Sequence, residues 1–226
     1  MEATTLPALR RLLDSRYSCR AFEPTPLDRA TIQGILAAAQ RTPSWCNTQP
    51  WQVTIVSGAA LSKLGAALYE KAAEGAPPTP DFPFPEAYLG VYRERRKVCG
   101  VQLYRSLGIG RDDRARAREQ SLENFRFFGA PHAAFITTDA SLGFYGGLDC
   151  GLYVMSFLLA AEASGVATIP QAALATYADV VREHLDFGDD RQLVCGIAFG
   201  RGVHDAAVNG YRTERAGIDE AARWIG

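Results

Sequence analysis

The chain is 226 residues long, 47% hydrophobic and 22% charged, with a formal net charge of −1. That is enough for one sizeable core and too little for two full domains, and the balanced charge gives no footing for a nucleic-acid partner. Five cysteines, Cys19, Cys46, Cys99, Cys150 and Cys195, are scattered without a C-x-x-C pair, which excludes a zinc or dithiol motif and suits free thiols in a reducing cytoplasm.

The N-terminal stretch through Ser18 has acidic and polar residues where a secretion signal has an unbroken apolar core. No uninterrupted apolar run approaches about 18 residues, so no membrane span is expected. Leu6, Leu9, Leu12 and Leu13 predict a helix over 5–15. Asp28 is placed to cap a second helix that turns Ile32, Ile35, Leu36 and Ala39 inward. A loop of unusual polarity follows, Pro43-Ser44-Trp45-Cys46-Asn47-Thr48-Gln49-Pro50-Trp51. Gln52 to Val56 reads as a strand and Ala59 to Glu74 as a helix.

Gly75 to Pro85 holds five prolines with Phe82 and Phe84 between them. Such a segment is extended, a linker or a flap. A charged helix is expected over Glu86 to Leu107, broken by Gly108-Ile109-Gly110, and another to about Phe125. Residues 75–125 as a whole are expected to form an insertion over the active-site cleft. The basic runs Arg93–Lys97 and Arg111–Arg118 are read as solvated helix faces.

His132 to Thr138 is a strand candidate. Leu148 to Ala163 is apolar nearly all round, so a buried helix is expected there, in the core or under a partner subunit. Val166 to Ile169 is a short strand, Thr176 a cap for the helix carrying Val180, Val181 and Leu185, and Leu193 to Phe199 an apolar strand. The pattern predicts a single α+β domain, with helices on a mixed, mostly antiparallel sheet of four to five strands.

Several chemistries are missing. His132, His184 and His204 have no metal-ligand spacing, and there is no nucleophile elbow, Walker loop or dinucleotide fingerprint. No metal site or catalytic side chain is expected, so any reactive atom would belong to a bound cofactor.

Other chemistries are present. Loop 43–51 sets hydrogen-bonding side chains between prolines and beside aromatics, which suits a flat ligand with polar edges. Arg16-Tyr17-Ser18-Cys19-Arg20 offers two guanidinium groups and a hydroxyl to a phosphate. Asn209-Gly210-Tyr211-Arg212-Thr213-Glu214-Arg215 adds positive charge far along the chain.

In order and spacing, R-x-S-x-R-x-F, P-S-x-x-N-x-Q-P-W and N-x-Y-R-x-x-R together resemble the nitroreductase family of FMN-dependent oxidoreductases. Gly165–Gln171 and Asp189–Gly200 look like its strand beside the flavin and its last core strand. Lys97–Pro131 looks like the nitrobenzoate-reductase subgroup. The resemblance implies a nitroreductase-like α+β fold and a homodimer with FMN in each interface cleft, the 148–163 helix at the interface, and NADPH or NADH as reductant.

It also implies the cofactor contacts. Arg16, Tyr17, Ser18 and Arg20 of one subunit would hold the phosphate and ribityl chain, with Arg215 closing on the phosphate. Pro43, Ser44, Trp45 and Asn47 of the other would lie along the flavin, with Gln49 supporting the loop. Asn124, or Glu123 beside it, would reach the pyrimidine edge, and backbone groups at Pro170, Gln171 and Ala172 would face N5. Trp45, Phe82, Phe84 and Tyr88 would shape the acceptor pocket. Cys19 and Cys46 read as fillers. The implied reaction passes hydride to a nitroaromatic or quinone by ping-pong exchange. Reductive dehalogenation, dehydrogenation, flavin breakdown and non-catalytic flavin binding stay open as alternatives. Thr213, Glu214 and the neutral Gln171-Ala172-Ala173 depart from the family pattern.

Overall fold

A computed structural model describes residues 5–226. The helices α1 (Thr5–Ser15) and α2 (Arg29–Ala39) precede strand β1 (Gln52–Ser57) and helix α3 (Gly58–Ala73). Helices α4 (Gly90–Ser106) and α5 (Arg114–Leu122) follow, then β2 (His132–Asp139), α6 (Gly143–Ala163) and β3 (Ala167–Gln171). The chain continues through α7 (Ala178–Leu185), β4 (Arg191–Gly200) and the short α8 (Ile218–Ala221).

The strands form one sheet in the order β1-β2-β4-β3, and every pairing is antiparallel. The expected mixed character comes down to isolated parallel bridges, Thr79 with Tyr177 and, onto β3, Ser18 with Thr168, where the Cys19 amide donates to the Thr168 carbonyl at 3.0 Å. β2 is central, and its residues from His132 to Thr138 are all buried. Alternate side chains therefore feed two cores. Phe135 packs with Leu64, Leu68, Phe127, Leu193 and Val181 on one face. Ile136 packs with Ile35, Trp51, Tyr153, Phe157 and Ile197 on the other. Helices on both faces make three layers.

Local chemistry sets the ends of the elements. Asp28 caps α2 as expected, accepting from the Thr31 amide at 2.8 Å. Thr176 does not cap α7, whose N-cap is Tyr177 without a side-chain bond. The helix expected from Glu86 begins at Gly90, because residues 86–89 continue the extended run after Pro85. The core helix begins earlier than expected, at Gly143.

The 75–85 segment is not a linker. The Thr79 amide donates to the Thr176 carbonyl at 2.8 Å, and Asp81 accepts from Arg182 at 3.0 Å and from the Leu193 amide at 2.7 Å. Phe82 then lies against Gly147 of α6.

α6 is long and apolar enough by composition to cross a membrane, yet it is the core helix of this domain. Tyr153, Phe157, Leu158 and Ala161 are buried between sheet and α2. That face bears out the expected core helix. Phe144, Leu148 and Leu152 are 75%, 49% and 46% exposed in the single chain.

His132 serves the fold. Its Nε2 accepts from the Leu27 amide at 2.8 Å, so its Nδ1–H faces the Ser57 hydroxyl. Burial pushes its pKa below the usual value. The unfolded chain takes up this proton below about pH 6.5 and the fold resists it, so the stability it confers is present above that pH and lost as pH falls. Urea unfolding of the wild type should show lower stability at pH 5.5 than at 7.5, and His132→Gln should flatten that dependence. The lowered carboxylates Asp28, Asp139 and Asp179 titrate in a lower range and leave this window to histidine.

Candidate active site

Two distant parts of the sequence meet in a cleft of about 240 Å³ lined by Arg16, Ser18, Arg20, Tyr211, Arg212 and Arg215, among others. Asp14 is the only acid in its lining. Asn209, 3% exposed, joins the parts. Its Oδ1 accepts from the Arg20 amide at 2.7 Å, and its Nδ2 donates to the carbonyls of Ala21 and Val203, both at 2.9 Å. Arg20 donates to the Tyr211 hydroxyl at 3.0 Å and to the Ser18 carbonyl at 3.1 Å. Arg212 stacks over Tyr17 at 4.1 Å, and Arg215 is folded onto Thr213 and the Glu214 carbonyl. No carboxylate pairs with any of these arginines among the described residues.

Cys19 sits inside this wall, fully buried, with its thiol donating to the Ala21 carbonyl at 3.2 Å. Burial raises its pKa, so it stays a neutral filler. Burial likewise raises the hydroxyl of Tyr17, to about 12.

Loop 43–51 is a stiff polar turn. Cys46, Asn47 and Gln49 have φ values of 49°, 53° and 47°, in the left-handed region. Such residues cost on the order of 1–3 kcal/mol each unless their surroundings hold them. Here the Ser44 hydroxyl accepts from the Gln49 amide at 2.9 Å. Gln40 accepts from the Trp51 indole and donates to the Gln49 side chain, both at 3.1 Å. Gln49 is thus a supporting residue. Trp45 is 62% exposed with its ring 4.5 Å from that of Tyr145. The side-chain amide of Asn47 has no partner among the described residues.

Asp149 and Arg191 hold this loop from below, and sequence reasoning missed both. Asp149 is 5% exposed on α6, and its carboxylate accepts from the Trp45 amide at 3.1 Å. Arg191 is 9% exposed at the start of β4. It donates to the Pro50 carbonyl at 3.1 Å and to the Thr137 carbonyl at 2.8 Å. A buried acid and a buried base therefore clamp opposite ends of the loop. The signal was available, since Asp149 is the only charge in the first 19 residues of α6, but nothing local names its partner.

At the end of β3, Gln171 is buried and donates to the Asn124 carbonyl at 2.9 Å and to its side-chain oxygen at 3.2 Å. Its own Oε1 is buried without a partner. Glu123 instead pairs with Arg126 at 3.0 Å. Pro170 and Ala172 flank Gln171 on the same edge, and Ser18 bridges to Thr168 of β3. The arginine segment, the end of β3 and Asn124 thus share one edge of the sheet. The Pro43–Trp51 loop leads into β1 at the opposite edge, three strand spacings or about 14 Å away. The structure brings together Arg16, Tyr17, Ser18, Arg20 and Arg215. It does not bring Pro43, Ser44, Trp45, Asn47 or Gln49 to that cleft within one chain.

This fold and donor set define a class before any individual relative is considered. The profile of the nitroreductase family matches residues 13–201, and the chain belongs to that family. It is 41% identical over 222 residues to the nitroreductase NfnB of Mycolicibacterium smegmatis, covering 96% of this chain and 92% of the relative. It is 36% identical over 206 residues to a 4-nitrobenzoate reductase of Pseudomonas putida, covering 89% and 88%. The crystal structure of the FMN-dependent NfnB of Mycobacterium smegmatis in complex with NADPH superposes with a TM-score of 0.93 at 40% identity, over 98% of this chain and 99% of that one.

Asp149→Ala removes a buried charged acceptor, so it should destabilise the protein by about 1.5–3 kcal/mol. Asp149→Asn keeps an acceptor for the Trp45 amide and should lose distinctly less. Urea unfolding compares the two. Equal losses would show that the clamp is not what Asp149 contributes.

Proposed function

We propose that the chain is an FMN-dependent oxidoreductase that takes reducing equivalents from NADPH or NADH and delivers them to a nitroaromatic or quinone-type acceptor, working as a homodimer in the cytoplasm. The arginine cleft carries this reading. Its hydrogen-bond donors suit a phosphate monoester, because Arg16, Arg20, Arg212 and Arg215 face one small space with a single acid. The Arg16 guanidinium and the Ser18 hydroxyl have no partner among the described residues and are free to meet a ligand. The cysteines are free, which suits a reducing compartment.

Bound FMN would supply two-electron transfer at N5 between nicotinamide and acceptor, each visiting the same ring face in turn. The protein supplies binding and position. Arg16, Arg20 and Arg215 neutralise the phosphate, with Tyr17 and Ser18 beside the ribityl chain. Gln171 fixes Asn124 toward the pyrimidine edge, and the backbone at Pro170, Gln171 and Ala172 lines the N5 side. Pro43, Ser44, Trp45 and Asn47 of the second copy lie along the ring, with Gln49 bracing them.

Two observations support the shared site. The loop and the cleft lie on opposite sheet edges. Leu6, Leu9 and Leu13 of α1 and Phe144, Leu148 and Leu152 of α6 leave a large apolar surface uncovered in one chain, as an obligate interface requires. Residues 75–125 cover the cleft in this reading, supported by Cys99 of α4 in its wall. The acceptor pocket takes Trp45, Phe82, Phe84 and Tyr88.

The purified protein should be yellow, bleach with NADPH or NADH and recover its colour with a nitroarene. A yellow protein that neither nucleotide bleaches would be a flavin carrier, and a colourless one without FMN affinity would end this reading. Arg16→Ala with Arg20→Ala should weaken FMN binding more than tenfold, about 1.4 kcal/mol, while circular dichroism of the apoprotein stays unchanged.

A further inference from the structure

Gln171 is a buried side chain whose hydrogen bonding is left half done. It is 3% exposed at the end of β3, and its Oε1 lies buried without a partner. Such an orphan weakens a fold, and an apolar side chain of similar size would avoid it. What the amide offers is its Nε2, which donates to the Asn124 carbonyl at 2.9 Å and to the Asn124 side-chain oxygen at 3.2 Å. Asn124 lies on the short helical turn Glu123–Gly129, which is seated in the core by Phe125, Phe127 and Phe128. The Phe125 ring lies 5.7 Å from that of Tyr177, in the segment beyond β3. Packing therefore holds the two amides at a fixed spacing.

These bonds fix the sense of both amides. A backbone carbonyl only accepts, so the Asn124 carbonyl draws the Gln171 Nε2 toward it and turns Oε1 away. The same NH2 group faces the Asn124 side chain, which therefore presents its oxygen. From the other side the Ser121 carbonyl accepts from Asn124 Nδ2 at 2.9 Å and imposes the same sense. A flipped Asn124 would set oxygen against the Ser121 carbonyl and NH2 against NH2. The oxygen of Asn124 thus faces Gln171, and its free hydrogen is the second one on Nδ2, a donor on a half-buried side chain. The neighbouring Glu123 is committed to Arg126, whose guanidinium lies 3.9 Å from the centre of the Tyr69 ring.

We propose that Gln171 is a positioning residue that locks Asn124 as a hydrogen-bond donor to the carbonyl oxygens of the flavin's pyrimidine edge and so raises the flavin's reduction potential. The inference rests on the flavin reading above and adds to it the direction of this hydrogen bond and its consequence. Two-electron reduction puts negative charge on those carbonyl oxygens. A donor fixed beside them favours the reduced form more than the oxidised one. An Asn124 oxygen in the same place would oppose that charge. Gln171 sets the donor in advance, so no reorientation of the side chain accompanies electron transfer.

The test is the midpoint potential of the yellow holoenzyme, read by dye-coupled reduction. Gln171→Met keeps the volume, removes the orphaned oxygen and releases Asn124. Its two-electron potential should fall by at least about 30 mV, a tenfold loss in the preference for reduced over oxidised FMN. Gln171→Leu serves as a second apolar replacement and should read the same. Asn124→Ala should lower the potential by a similar amount, and in that background Gln171→Met should change nothing further. A merely structural role would leave the potential where it is. An unchanged potential in both Gln171 variants would overturn the assignment. So would additive shifts in the double variant, which would show Gln171 acting apart from Asn124, or an unchanged potential in Asn124→Ala, which would place that amide away from the ring. A protein that never turns yellow defeats the flavin reading instead, so the two failures are distinct.

Discussion

Four guanidinium groups gathered around one small cleft repel each other, and the chain holds them there without an acid for each. The restraint is a single buried amide. Asn209 ties the backbone at Arg20 and Ala21 to Val203 and the tail that carries Tyr211, Arg212 and Arg215. Backbone carbonyls of Ser18, Asn209, Tyr211 and Thr213 share the donors in the free protein. Such an arrangement is incomplete in charge, and in the proposed function a phosphate dianion would complete it. Ser18 bridges to Thr168 of β3, and Asn209 brings the tail beside the arginine segment.

The second constraint is distance across the sheet. In the proposed site a flavin held at its phosphate beside β3 would extend its ring away from the cleft, while the loop rich in side-chain amides lies by β1. Two strands, β2 and β4, stand between. In the proposed homodimer, two copies related by an apolar interface would resolve this, each giving the phosphate grip to its own cofactor and the loop to its partner's. The loop's left-handed backbone and the Asp149–Arg191 clamp fit that proposal, because a surface that serves another chain's ligand must be shaped in advance.

Much of this was readable in the sequence, for physical reasons. The β-branched run of β1, the apolar run of β4 and the Asp28 cap announce their elements through periodicity and local hydrogen bonding. The arginine and loop motifs announce themselves as polar groups that plain connectors do not need. What stayed hidden was long-range. Nothing near Asp149 says that it caps the loop at Trp45, and nothing near Arg191 points to the Pro50 carbonyl. The Pro-rich run read as either a linker or a flap because its anchors, Thr176, Arg182 and Leu193, lie about a hundred residues away. α6 reads as apolar nearly all round, and composition cannot say which of its faces packs on the sheet and α2.

The central claim is that each flavin is held by arginines from one subunit and a loop from the other. Subunit mixing tests it directly. Arg16→Ala/Arg20→Ala chains and Ser44→Ala/Asn47→Ala chains, each deficient in FMN alone, are co-expressed with different tags and the heterodimer is isolated. A shared site gives that heterodimer one fully wild-type cleft and one doubly defective cleft, so it should bind FMN with wild-type affinity at one site in two and regain NAD(P)H-driven nitroarene reduction. If each chain holds its flavin alone, neither cleft in the heterodimer is intact, and the absence of any recovered tight site would contradict the account.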